Sequence, residues 1–276
     1  MKRSARMILT VLLALVFLFS IAKLLNQQKE NTIGSTAYAD ALELATSEKK
    51  QDIQPEPEPE PETVPPPEPQ WVVAEPEAED PHIRALEAMD LNALREINPD
   101  VVGWIRIPDT QIDYPLMQGP DNDYYLNRTW DEQPNSIGSI FLEHLTSPDL
   151  TDFNTIVYGH NMSTGAMFGS LRHYDTQSYW EEHPYVYIRS DQGVYRYEIF
   201  SAYVADVESN TFGLSFPSEN AMTKFLERAV QDSVIGTGIQ PEITDRILTL
   251  STCSFVGYTH RWVVHARLKM ILQQPE

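Results

Sequence analysis

Arg246-Ile247-Leu248-Thr249-Leu250-Ser251-Thr252-Cys253 is the stretch on which the fold turns. A short apolar run of this kind reads as a strand, and it ends on the only cysteine of the 276-residue chain. Eight residues later Arg261 opens a second apolar run, Arg261-Trp262-Val263-Val264-His265. Far upstream a third, Thr155-Ile156-Val157-Tyr158, delivers Gly159-His160. A thiol, an imidazole and a guanidinium at strand ends are the components of acyl transfer through a thioester. Cysteine is an intrinsically strong nucleophile, histidine shuttles the proton, and arginine can hold a developing oxyanion. The plainer alternative is a buried cysteine acting as a small hydrophobe.

The surrounding sequence is mostly strand-like. Val101-Val102-Gly103-Trp104-Ile105-Arg106-Ile107 and Ile137-Gly138-Ser139-Ile140-Phe141-Leu142 are β-type runs between Pro, Asp and Asn clusters. Tyr185–Ile188 and Val194–Phe200 flank Ser190-Asp191-Gln192-Gly193, a hairpin loop. Two helices are predicted. One runs from His82 to Ile97 and stops at Asn98-Pro99; the other is capped by Ser218 and carries Met222, Phe225, Leu226, Ala229 and Val230 on one stripe. Many short strands with few helices indicate a mainly β fold, a barrel or a sandwich.

The N-terminal part belongs to a different regime. Met7 to Ala22 is uncharged and almost wholly apolar, preceded by Lys2, Arg3 and Arg6. With Lys23 snorkelling, the run through Leu25 approaches the length of a membrane span, and its basic flank belongs inside. Ala37-Tyr38-Ala39 resembles a signal cleavage site but lies far beyond the apolar run, which favours an uncleaved anchor. Pro55-Glu56-Pro57-Glu58-Pro59-Glu60-Pro61-Glu62 then predicts an extended, self-repelling spacer. The expected division is an anchor over residues 1–25, a disordered Pro/Glu-rich spacer over 26–80 and a catalytic domain over 81–276. The expected location is the cell membrane, single-pass, with the catalytic domain outside. Much of the net charge of −20 sits in the spacer, and no basic stripe offers phosphate contacts, so nucleic acid is not an expected partner. A lone cysteine outside the cytosol cannot close an internal disulfide, which suggests either intermolecular pairing or a free, reactive thiol.

Histidine pairs lack metal-ligand spacing with a second strong ligand, and one cysteine excludes a thiolate zinc site, so neither metal nor cofactor is expected. His265 lies four residues after Arg261 and on a strand would share its face, making it a rival to His160 for the base. His82, His144, His173, His183 and His260 read as surface or loop residues.

Several segments together resemble one family. They are Asn98-Pro99-Asp100-Val101-Val102-Gly103-Trp104, Ile112-Asp113-Tyr114-Pro115-Leu116, Asn122-Asp123-Tyr124-Tyr125-Leu126-Asn127, Gly138-Ser139-Ile140-Phe141, Tyr158-Gly159-His160-Asn161-Met162 and Thr249-Leu250-Ser251-Thr252-Cys253. The chain resembles the class B sortases, membrane-anchored cysteine transpeptidases of Gram-positive bacteria, from about Glu79 to Leu272. The resemblance implies an eight-stranded sortase-type β-barrel with flanking helices. It implies His160, Cys253 and Arg261 as catalytic residues, and Asn122, Tyr158 and Ser251 as residues lining the sorting-signal groove.

The implied reaction cleaves a C-terminal sorting signal after Thr, holds the product as a thioester on Cys253, and transfers it to an amine. The implied partners are sorting-signal-bearing surface proteins and a peptidoglycan-precursor amine or a pilin lysine. Thr211 and Phe212, just before the second predicted helix, fall on one wall of the groove in that family and lead us to expect a preference unlike the Asn-Pro-Gln-Thr-Asn type. Two alternatives remain at this stage. One is another wall-acting cysteine enzyme, although papain-like chains order Cys before His and this one does not. The other is a non-catalytic wall-associated binding protein.

Overall fold

The computed structural model describes residues 2–47, 80–253 and 259–272. Eight strands close into one barrel: β1 Val101–Arg106, β2 Asp113–Met117, β3 Ile140–Leu142, β4 Asn154–Tyr158, β5 Tyr185–Ser190, β6 Gly193–Asp206, β7 Ile247–Cys253 and β8 His260–Leu272. Round the barrel they run β1-β2-β3-β4-β7-β8-β6-β5, with β5 pairing back onto β1. Closure removes every sheet edge, which settles the choice between barrel and sandwich. The interior is filled by Ile105, Leu116, Val157, Tyr197, Leu248, Leu250 and Val264, all buried.

The hairpin between β5 and β6 turns on Asp191-Gln192 and reaches Gly193, as its composition predicts. The helix expected over His82–Ile97 is divided. Asp80 caps α2, Pro81–Glu87, and Asp90 caps α3, Leu91–Arg95. Asp90 accepts from the amides of Asn92 and Ala93, so its side chain starts a new helix where the apolar spacing alone would continue the old one. Gln177–Glu182 forms a short α4. The later predicted helix is α5, Glu219–Asp232, with Ser218 accepting from Ala221 N–H as its cap. Phe225, Leu226 and Ala229 of α5 cover Phe200, Tyr203 and Val263 on the outside of the barrel.

The N-terminal helix is longer than the sequence suggests. α1 runs from Lys2 to Thr46. Residues 26–46, expected in the spacer, are therefore helical, and residues 48–79 lie outside the described residues. The apolar part of α1 stands clear of the barrel; Leu12, Leu18 and Phe19 are exposed. Among the described residues it is the one helix long and apolar enough to cross a membrane. The C-terminal part docks on the barrel through Gly34, Tyr38, Ala41 and Ala45, spaced four, three and four residues apart. Small side chains make this stripe hard to read as hydrophobic, yet they let the helix approach closely. A Cβ at Gly34 would come within 2.6 Å of Ile137 Cγ2.

Candidate active site

Parallel pairing of β4 with β7 decides where the chemistry gathers. The register runs from Asn154 opposite Ile247 to Tyr158 opposite Ser251, and Gly159 N–H extends it by donating to Ser251 O at 3.2 Å. His160 lies two residues beyond Tyr158, and Cys253 two beyond Ser251. β8 returns antiparallel beside β7, with Arg261 directly opposite Cys253. Backbone pairing alone thus brings the residues bearing the imidazole, thiol and guanidinium to one rim. The Cys253 side chain and residues 254–258 lie outside the described residues.

His160 Nε2 is 2.6 Å from the carbonyl oxygen of Leu126. A carbonyl can only accept, so Nε2 carries the proton and Nδ1 is the nitrogen left for acid–base work. Gly138, at φ +63°, backs the ring: a Cβ there would lie 2.8 Å from His160 Cδ2 and 2.7 Å from Leu126 O. Arg261 donates from Nη1 to His260 O at 3.2 Å and stands opposite Ala205 on its other flank.

Tyr158, Ser251 and Asn122 come together behind these three. The Tyr158 hydroxyl donates to Glu143 Oε2 at 3.0 Å. Burial, and then the Glu143 carboxylate beside it, hold the phenol well above its usual range, with Arg261 pulling back part of the shift. Tyr158 is therefore a protonated donor. Asn122 donates from Nδ2 to the same Glu143 oxygen and accepts from His144 N–H at 3.0 Å, so both ends of its amide are engaged. Ser251 is 1 % exposed, and its hydroxyl has no hydrogen-bond partner among the described residues.

Glu143 is the residue that sequence reading missed. Phe141 stands opposite Tyr158 in the β3–β4 pairing, so two-residue alternation sets Glu143 on that same face. That alternation was the available signal.

His265 is held away from this chemistry. Its Nε2 is 3.0 Å from Tyr203 OH and its Nδ1 2.9 Å from Thr249 Oγ1. Thr249 gives its proton to Asn154 Oδ1 at 2.6 Å, so His265 Nδ1 must donate to Thr249 and Nε2 accept from Tyr203. Tyr203 OH is also 3.0 Å from Thr211 Oγ1, and Asn154 Nδ2 donates to Thr211 O and Gly213 O. The result is a closed ring of buried hydrogen bonds through one neutral imidazole. Burial pushes the His265 pKa down to about 3, so at physiological pH the ring stays neutral and takes up no second proton. Thr211, expected on the groove wall, is itself buried in this ring.

Known proteins resemble this chain in sequence and fold. The sortase domain family matches residues 105–269. Sortase B of Listeria monocytogenes is 38% identical over 164 residues, covering 59% of this chain and 67% of that protein. Sortase B of Staphylococcus aureus is 34% identical over 178 residues, covering 64% and 73%. Among solved structures, the Staphylococcus aureus sortase B–substrate complex superposes with a TM-score of 0.62 at 32% identity, covering 68% of this chain and 85% of that one. Sortase B from Bacillus anthracis in complex with AAEK1 gives a TM-score of 0.59 at 38% identity, covering 64% and 82%.

Proposed function

The chain belongs to the sortase family, as a class B cysteine transpeptidase that anchors proteins to the cell wall, and we propose that Cys253, His160 and Arg261 carry its reaction. Cys253 Sγ attacks the carbonyl carbon of a Thr in the sorting signal, and Arg261 holds the oxyanion. The C–N bond breaks and the departing amine takes its proton from His160. An acceptor amine, deprotonated by His160, then attacks the thioester; the new amide forms and the thiolate leaves. A thiol serves both halves because it is a good nucleophile and a good leaving group. The observation that carries this reading is the double register of β7, parallel to β4 and antiparallel to β8.

The sorting signal runs along the outer face of β4 and β7. Tyr158 and Ser251 contact its backbone; the Ser251 hydroxyl, buried and without a partner among the described residues, gains one from a bound peptide group. Asn122 supports Tyr158 through Glu143. The amine comes from a peptidoglycan precursor or a pilin lysine. α1 crosses the membrane once, basic end inside, and the barrel works outside.

Cys253→Ala should abolish both peptide cleavage and amine transfer, with the fold kept and about 1 kcal/mol or less of stability lost. In wild type, a Cys253 adduct with the acyl half of the signal should be captured by mass spectrometry. Cleavage by the Ala variant at a substantial fraction of the wild-type rate would remove Cys253 as nucleophile.

A further inference from the structure

The loop behind His160 is closed from the far side by the N-terminal helix. Ser139 N–H donates to Tyr125 O at 2.9 Å, so residues 125–126 and 138–139 run as adjacent backbone, and the imidazole rests against both. On the opposite side Tyr38 of α1 donates its hydroxyl to Gly138 O at 2.5 Å, with Ser139 Oγ 3.0 Å from the same hydroxyl. Tyr38 is 6% exposed and packs edge-on against Tyr114. The helix is fastened along the same loop. Trp130 Nε1 donates to Ala37 O at 2.8 Å, and Asn135 Nδ2 to Glu30 O at 3.0 Å.

From these contacts we infer that Tyr38 is a positioning residue for His160. Its hydroxyl holds the Gly138 peptide, and that peptide sets where the imidazole and its Leu126 acceptor meet. The role rests on His160 being the acid–base group proposed above. The Nε2–H···O=C bond fixes the plane of the ring, so loosening the loop turns Nδ1 away from its working direction. Misplacement of a catalytic group by a fraction of an ångström to an ångström is felt in turnover, with a cost reaching about 10²-fold. The helix that carries the anchor segment thereby completes the active site.

The test uses the full chain in detergent, with a sorting-signal peptide and an amine acceptor. Tyr38→Phe removes one oxygen and keeps the ring packing. It should lower kcat on the order of 10-fold, leave KM unchanged, and move the His160 Nε2–H resonance, followed by imidazole NMR, as its bond to Leu126 O loosens. Gly138→Ala, which crowds the ring from the other side, should give the same signature. A Tyr38→Phe enzyme with wild-type kcat and an unmoved His160 Nε2–H resonance overturns the inference. So does a loss of kcat with the His160 Nε2–H resonance unmoved, since the imidazole is then still held in place. His160→Ala is the control. If it turns over normally the catalytic assignment fails, and the positioning role with it. If it is dead while Tyr38→Phe is normal, only the positioning role fails.

Discussion

Two histidines looked equivalent at the level of residue spacing, and burial separates them. His160 is half-buried at a strand end with one nitrogen committed, whereas His265 is sealed with both committed. The His265 pKa, near 6.5 in the unfolded chain and about 3 in the fold, makes stability depend on pH. The folded pKa is the lower one, so the unfolded chain binds the extra proton. Stability is full above about pH 6.5 and falls as pH drops towards 3, by up to about 1.4 kcal/mol per unit. Urea unfolding of wild type and His265→Leu across pH 4–7 should show a slope flatter by close to one proton in the variant. Equal slopes would mean that His265 is charged in the fold.

Arg261 gives a second test at this scale. Arg261→Lys should be nearly as damaging as Arg261→Ala, at least about 10²-fold in kcat, because a point charge cannot replace a planar fork. Near-normal turnover by the Lys variant would reduce Arg261 to a source of charge. The proposed catalytic residues stand out in the sequence as candidates because each sits at one end of an apolar run. Glu143 does not, because its importance lies in being shared by Asn122 and Tyr158, and those two are 36 residues apart in the chain.

Elements were legible where one signal governed them, as in the Ser218 cap and the stripe of α5. They were misread where a side chain overrode periodicity, as Asp90 does in dividing α2 from α3. The segment before α5 shows the same limit. Thr211 lies in a one-turn 3-10 helix, Asn210–Phe212, tied by the buried ring to β4, β6, β7 and β8. Nothing in the local sequence announces a ring whose members span Asn154 to His265. Its consequence is that Thr211 is buried behind the proposed groove wall rather than exposed on it. Thr211→Val keeps the shape and removes one buried donor. It should cost about 1 kcal/mol of stability and leave the peptide profile unchanged, while changes at the half-buried Phe212 alter the profile. A Thr211→Val enzyme with wild-type stability and a new peptide preference would put Thr211 back on the groove.

At the scale of the whole molecule, α1 changes the meaning of the acidic spacer. A helix ending at Leu25 followed by an extended linker would leave the barrel swinging on a stalk. With α1 continuing to Thr46, Ala45 O accepts from Asp90 N–H at 2.9 Å, so the helix end is bonded to the segment just before α3. Residues 48–79 then join two points that are each already fixed to the barrel. Proteolysis in that Pro- and Glu-rich stretch severs the covalent link but leaves Tyr38, Ala41 and Ala45 buried against the barrel and the Trp130, Asn135 and Asp90 bonds in place. Protease added to intact protoplasts should therefore cut between residues 48 and 79 without releasing the catalytic domain. The nicked barrel should sediment with the membrane and come off only when urea or detergent breaks the helix–barrel contact. Free release of the barrel on cutting, in buffer alone, would show that the docked half of α1 does not hold it.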